Sequence, residues 1–498
     1  PSATPQPFTV PAVDARYTTL PKGVDRSTGV PQTKTFPELK FPQLHRATLK
    51  NGTKVILAER HDIPVVQFSY EFPGGFTADQ GRKSGTANFT MGMLTEGAGE
   101  RGALPFADAA DALGAKLDAS ASLDNTSVYL SALKENLAPS LALYADMLRQ
   151  PRFDQTEIDR IKASWIAGIR QEKVNPSASA MRVLPTLLYG AGHPYAIPFT
   201  GSGNEADIQA LTRAELVDFH AQWLRPEQGT LIVVGDTTLK EIVPLLERQF
   251  GDWKADGAAP QIKAPVDVAR PAQTRVFLID QPGAVQANLF AAQVVPSSMD
   301  AGTTRFDIAN GVLGGDFTSR LNMNLREQKH WSYGAGSNAS NTLGQRPWTA
   351  RAPVQIDKTA PSIAEMQKEI AEFASAAKPA TAAEVERIRN IQTLSLPGAY
   401  ETASAVLGTI SGIVSYKRPD DYVFKRKAEI EAMTPAQVQQ AAATLDPKTL
   451  TWIVVGDLKQ TEAPVRALNL GEVTVIDADG KPVKASAPAA PVATPKAR

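Results

Sequence analysis

The chain has 498 residues, enough for about three to four domains at roughly 150 residues each. Lys and Arg total 52 and Asp and Glu total 52, so the formal charge is zero and no general attraction to nucleic acid or anionic lipid is built in. The absence of cysteine excludes disulfide frameworks, Cys-ligated zinc, iron–sulfur clusters and thiol nucleophiles together.

In chain order, residues 1–41 are rich in Pro and Thr without a sustained apolar period and predict an extended N-terminal arm. The start, Pro1-Ser2-Ala3, has no Met and no apolar h-region, which suggests a processed, exported protein. Lys54 to Leu57 predicts a strand, as do the alternating Val65, Phe68, Tyr70 and Phe72 and the run from Ala119 to Leu133. Leu137, Leu141, Tyr144 and Leu148 share one face of an amphipathic helix. Thr212 followed by Glu215 is a capping box that opens a helix, and Leu231 to Asp236 is a short buried strand ending at a Gly turn. A Pro/Ala/Lys/Asp-rich linker covers 251–273. Residues 471–498 predict a tail, of Ala/Pro/Lys low complexity from about Lys481, with too few large apolar groups to offset its ordering entropy. The longest apolar runs fall far short of the roughly 20 residues that span a bilayer, so no membrane-spanning helix is expected.

The second half repeats the first. Leu231 to Asp236 recurs as Trp452 to Asp457, Lys54 to Leu57 as Arg275 to Leu278, the Thr212 cap as Thr434 with Gln437, and Glu157 to Lys162 as Glu384 to Arg389. Four markers in one order at nearly one spacing make an internal duplication, with halves at 42–250 and 274–470. The expected fold is α+β: two homologous halves, each of two α/β subdomains, forming a clamshell around a cavity.

The series Gly74-Gly75, Gly85-Thr86-Ala87-Asn88-Phe89, His193-Pro194-Tyr195, Gly201, Trp223 to Pro226 and Val233 to Asp236 resembles the N-terminal half of pitrilysin-type zinc peptidases. That family includes the mitochondrial processing peptidases. Leu313 to Leu321 and Leu325 to Tyr333 resemble its C-terminal half, and the likeness covers residues 42–470. In the family a His-x-x-Glu-His helix binds zinc through two imidazoles one turn apart, and its Glu is general base for water. Here those positions hold Asn88, Met91 and Gly92, and the downstream carboxylate expected near Ala167-Gly168 is missing. The chain therefore cannot build that site. Glu172 stands one turn further on without an imidazole beside it, and His45, His61, His193, His220 and His330 are nowhere paired at helical spacing. His193 is expected to stabilise a loop and His220 to pack.

The resemblance implies that Arg326 and Tyr333, seven residues apart, reach the scissile carbonyl, with Gly314, Gly315, Phe317 and Arg320 binding peptide. A guanidinium and a phenol both donate to an oxygen that gains charge. The plain alternative pairs Arg326 with Glu327 on a helix surface and puts the Tyr333 ring in the core. Gly314-Gly315 is either a place of close backbone approach, as in the glycine-rich loop of the non-zinc processing-peptidase subunit, or a turn that needs positive φ. The function so implied is that of the non-zinc, substrate-binding subunit of a heteromeric zinc metalloendopeptidase acting on unfolded peptides. This chain would bind no cofactor; zinc is expected in a homologous His-x-x-Glu-His partner, and the periplasm is the expected compartment. The alternatives are a peptidase-derived scaffold subunit and a solitary peptide-binding protein.

Overall fold

Two six-residue segments, Thr230-Leu-Ile-Val-Val-Gly235 and Thr451-Trp-Ile-Val-Val-Gly456, are buried at every position. A strand apolar on both faces needs a cover on both faces, and how this chain supplies the second cover defines its architecture. The computed structural model describes residues 35–261 and 265–483; the predicted arm lies outside the described residues as far as residue 34.

In the N-terminal half the strands are β1 (Leu44–Thr48), β2 (Lys54–Glu59), β3 (Val65–Pro73), a separate small pair β4 (Gly97–Ala98) and β5 (Arg101–Gly102), β6 (Lys116–Ala121), β7 (Asn125–Leu133) and β8 (Thr230–Gly235). The large sheet runs β1-β2-β8-β3-β7-β6, with β2 parallel to β8 and the other pairs antiparallel. The C-terminal half has β9 (Arg275–Asp280), β10 (Gln286–Val295), β11 (Gly336–Ala339), β12 (Arg346–Gln355), β13 (Thr451–Gly456) and β14 (Glu472–Ile476), in the order β11-β12-β10-β13-β9-β14. Apart from the outermost strands β1 and β14, the two sheets match strand for strand, as the duplication requires. β14 corrects the predicted tail: it begins with an ordered strand, parallel to β9, whose Val473 and Val475 pack on the core.

The helices used below are α1 (Thr86–Met93), α2 (Leu137–Arg149), α3 (Gln155–Val174), α4 (Pro176–Tyr189), α5 (Arg213–Trp223), α6 (Thr303–Asn310), α7 (Thr359–Ala374), α8 (Ala382–Leu394), α9 (Ala403–Ser415) and α10 (Pro435–Ala442). Both predicted capping boxes are formed, Thr212–Glu215 at α5 and Thr434–Gln437 at α10. On β8, Leu231 and Val233 face the half's own helices, including Leu141, Tyr144 and Leu148 of α2. Ile232 and Val234 face the other way, where α9 of the C-terminal half covers them with Val406, Leu407 and Ile410. The second sheet repeats the arrangement: Trp452 and Val454 meet Ile363, Met366 and Ile370 of α7, while Ile453 and Val455 are covered by Ala180, Val183 and Leu184 of α4 from the N-terminal half. Each half thus lends one helix to the other's sheet. Each fully buried Val, Leu or Ile in these contacts stabilises by about 1.5–3 kcal/mol.

Polar contacts also join the halves. The Asp124 carboxylate, at the β6–β7 turn, accepts from the Tyr195 hydroxyl at 2.7 Å and from Leu343 N–H at 2.8 Å, and the Tyr195 oxygen accepts Gly344 N–H at 2.8 Å. Burial raises the Asp124 pKa against the pull of these donors. His193 holds the loop beside them: Nδ1 accepts Tyr195 N–H at 3.0 Å and Nε2 donates to Val266 O at 2.9 Å. His220 is half-buried, its ring 6.0 Å from Phe153 and its Nε2 2.8 Å from Leu148 O.

Candidate functional site

After α6 the chain does not turn at once. It continues in a π-helical segment, Gly311–Gly315, and after a short helical turn at Arg320–Asn322 enters a second one, Met323–Gln328. π turns insert a residue into a helix and recur at functional sites because they re-aim side chains. Gly314 and Gly315 lie on the first and Arg326 on the second. Neither glycine takes positive φ. Gly314 is needed for close approach: a Cβ there would come within 2.4 Å of Ser337 Oγ on β11. The approaching backbone is the protein's own sheet.

These segments line a cleft of about 690 Å³ that gathers Gly314, Gly315, Phe317, Arg326 and Tyr333, five of the six residues expected from the sequence. Its walls come almost wholly from the C-terminal half; Ser177, at the start of the lent helix α4, is the N-terminal half's contribution. Arg326 stacks its guanidinium 4.5 Å from the Phe317 ring centroid and brings Nε to 3.3 Å from Glu327. The contact with Glu327 expected of a plain surface arginine is therefore present. Tyr333 differs from its plain reading, because its ring is 87% exposed rather than in the core.

The loop that carries Tyr333 is fixed. His330, at φ +57°, ends the second π segment in the left-handed region, and its N–H donates to Arg326 O at 3.2 Å. Ser332 Oγ donates to Pro353 O at 2.6 Å and accepts Gly334 N–H at 3.1 Å. Asn322, buried and not singled out from the sequence, ties the cleft's two sides together: Nδ2 donates to Phe317 O at 2.6 Å and Oδ1 accepts Ala335 N–H at 3.0 Å.

Arg320 is not brought to the cleft. Its Nε and Nη2 donate to the Glu384 carboxylate at 2.7 and 2.8 Å, Nη1 and Nη2 donate to Lys378 O and Pro379 O, and its guanidinium lies 4.7 Å from the Phe373 ring centroid. It tethers the turn between the two π segments to the start of α8. Burial would raise the Glu384 carboxyl, but the bonds from Arg320 and Thr381 outweigh it and bring it down to about 2.

In the N-terminal half, α1 is the helix that would carry zinc ligands. Met91 is fully buried in the core, Asn88 is half-buried, and a Cβ on Gly92 would stand 3.5 Å from the Trp165 indole of α3. Trp165 also packs edge-on against Phe89, centroids 5.3 Å apart, and donates from Nε1 to Ser202 O at 2.9 Å. Glu172 accepts from Arg182 Nη1 at 2.8 Å and from Ser202 Oγ at 2.7 Å. Amide, thioether and glycine offer no imidazole or free carboxylate, so these residues do not fit zinc. Among the described residues no group of three or more His, Asp or Glu side chains is placed to hold a metal ion. Beneath α1 the buried Asp79 accepts the N–H groups of Gly85 and Ala87, each at 2.7 Å, and burial pushes its carboxyl up to about 7 against those bonds.

Residues 54–191 match the family described as "Insulinase (Peptidase family M16)", and residues 210–392 match "Peptidase M16 inactive domain". An "Uncharacterized zinc protease" of Mycobacterium leprae is 25% identical over 294 residues, 58% of this chain and 64% of that protein, so the chain matches just under two thirds of this relative's length. A "Non-peptidase homolog" of Helicobacter pylori is 22% identical over 84% of this chain and 94% of its own. Among solved structures, a peptidase M16 inactive domain from Pseudomonas fluorescens superposes with a TM-score of 0.77 at 23% identity, covering 83% of this chain and 98% of its own. The periplasmic protease PqqL of Escherichia coli gives 0.69 at 15% identity, covering 92% and 53%.

Proposed function

Because the chain belongs to the M16 peptidase family through both of its halves, and because its own α1 cannot hold zinc, we propose that it is the non-zinc, substrate-binding subunit of a heteromeric zinc metalloendopeptidase. The partner is a homologous chain that carries His-x-x-Glu-His, and the zinc belongs to that partner. The substrates are unfolded peptides. The Tyr333 hydroxyl and the Arg326 guanidinium donate to the scissile carbonyl oxygen as it gains charge. The contact of Arg326 Nε with Glu327 leaves its two terminal nitrogens without a partner among the described residues, and a phenol and a guanidinium are donors that need no proton transfer in this role.

The observation that carries the reading is Tyr333: an aromatic residue left 87% exposed at a cleft wall, on a loop fixed by the hydrogen bonds of Ser332 and Asn322. A fixed backbone sets where the phenol stands, and exposure leaves its hydroxyl free to meet a ligand in the cleft. The periplasmic protease among the similar structures supports an exported location. The rival reading, a scaffold subunit without proteolytic role, draws on the engagement of Arg326 by Glu327 and Phe317.

One assay separates the two. A quenched unstructured peptide is offered to the pure chain, to the His-x-x-Glu-His partner, and to the mixture. Cleavage is expected only in the mixture, with Arg326→Ala and Tyr333→Phe each lowering kcat about 100- to 1000-fold, as for loss of one oxyanion donor. An inactive mixture, or one indifferent to both substitutions, leaves the scaffold.

A further inference from the structure

Charge in the cleft is not evenly matched. Besides Tyr333, the titratable side chains lining it are Asp316, Arg326 and Arg351. Asp316 is engaged, accepting from Thr318 N–H at 2.9 Å and Thr318 Oγ1 at 2.5 Å, with Arg387 Nε 3.9 Å away. Arg326 faces Glu327 and Phe317. Arg351 is exposed and has no ion-pair, hydrogen-bond or aromatic partner for its guanidinium among the described residues.

Its position is built by the sheet. Arg351 sits on β12, a strand paired on both sides, opposite Phe290 of β10 and Gly336 of β11. The even-numbered neighbours Trp348, Ala350, Ala352 and Val354 point into the core, so Arg351 is held on the opposite face. Gly336 places no side chain beside it. The duplication supplies a control. Ile453 pairs with Phe290 and so marks Arg351, and its counterpart Ile232 pairs with Ser69 and so marks Tyr129 on β7. Tyr129 packs against the apolar cluster under the lent helix α9. At one register position, then, the first half closes its sheet with an aromatic ring, and the second leaves an unpaired cation on the floor of a cleft.

We propose that Arg351 reads a carboxylate on the bound peptide, either an Asp or Glu side chain or a free C terminus, so that the cleft selects acidic peptides. The proposal rests on the reading of the cleft as a peptide site. A guanidinium offers two parallel N–H groups that match the two oxygens of a carboxylate, and a strand in mid-sheet fixes where that fork stands.

The test uses fluorescence anisotropy with the full chain and three labelled, unstructured peptides of one sequence. The first has an internal Glu and an amidated C terminus, the second Gln and an amidated C terminus, and the third Gln and a free carboxylate. A carboxylate-bearing peptide is expected to bind about tenfold more tightly than the neutral one at low salt, and whichever of the two does so identifies the source. Arg351→Gln is expected to erase the difference and Arg351→Glu to invert it. A preference that survives in Arg351→Gln overturns the assignment. Equal binding of all three peptides, weakened alike by Arg326→Ala, also overturns it while leaving the peptide cleft standing. Failure of every peptide to bind overturns both.

Discussion

The two halves began as one unit and have treated the same helix in opposite ways. In the first half α1 packs on β6 and α5; in the second, α6 with its π-helical extension packs on β11 and α10. The first is a regular helix that turns Met91 into the core and carries Asn88 and Gly92, half-buried, at the other two ligand positions. The second departs from regularity twice within 18 residues, from Gly311 to Gln328, and those departures frame a cleft of about 690 Å³. Where the first half keeps a regular helix without metal-binding side chains, the second opens into a cleft lined by Arg326, Tyr333 and Arg351.

The sharpest way to break this contrast is to restore the zinc motif. Met91→Glu places a carboxylate in a fully buried site and is expected to destabilise the chain by on the order of 4 kcal/mol, read from the urea midpoint. The triple variant Asn88→His, Met91→Glu, Gly92→His is expected to take up no stoichiometric zinc in equilibrium dialysis, because the downstream carboxylate is still missing at Ala167-Gly168 and two imidazoles alone do not complete the site. A stable triple variant holding one zinc per chain would show that the first half lacks those three side chains and nothing else.

Next come the lent helices. Leu184→Ala on α4 and Ile410→Ala on α9 each remove a fully buried side chain from the other half's sheet. Each is expected to cost about 3 kcal/mol, and the two losses should be alike in urea unfolding. A large loss for one and a negligible one for the other would show that the exchange is not reciprocal in energy.

The last difference is in pH, where the halves should move in opposite directions. Asp79, at about 7 when folded, binds a proton in the native state that the unfolded chain has released above about 4. Its contribution is therefore full below that value and is lost as pH rises toward 7. Glu384, at about 2 when folded, contributes fully above its unfolded value and loses this as pH falls from about 4.5 toward 2. Hydrogen-exchange protection, corrected for intrinsic rates, should weaken around α1 on the first titration and around Arg320–Asn322 on the second. Parallel titration of both regions would contradict these assignments.

Much of this was legible in the sequence, and the exceptions have physical reasons. The repeat showed because strand edges and helix caps are local patterns. The cover for the second face of β8 did not, because it comes from a helix about 170 residues later in the chain. Arg320 was misplaced among the peptide-binding residues because its partner Glu384 lies 64 residues away, and only the fold brings the two together. β14 was hidden by the composition of the tail that follows it, although the alternation of Glu472, Val473, Thr474 and Val475 was its signal. Arg351 also left a trace, a single cation between Ala350 and Ala352 in an apolar run, whose meaning depends on the face it is given.

The reciprocal loan of helices also has a consequence during synthesis. The last strand of the first sheet is complete at residue 235, but the helix that covers its second face ends at residue 415, so 180 further residues must be made first. At roughly 5–20 residues per second that is a delay of about 10–40 s. Through that interval the growing chain carries Ile56, Ile232 and Val234 on a bare apolar surface, and the first half cannot be finished until most of the second has been made, whereas the second half's cover, α4, is made before its sheet begins.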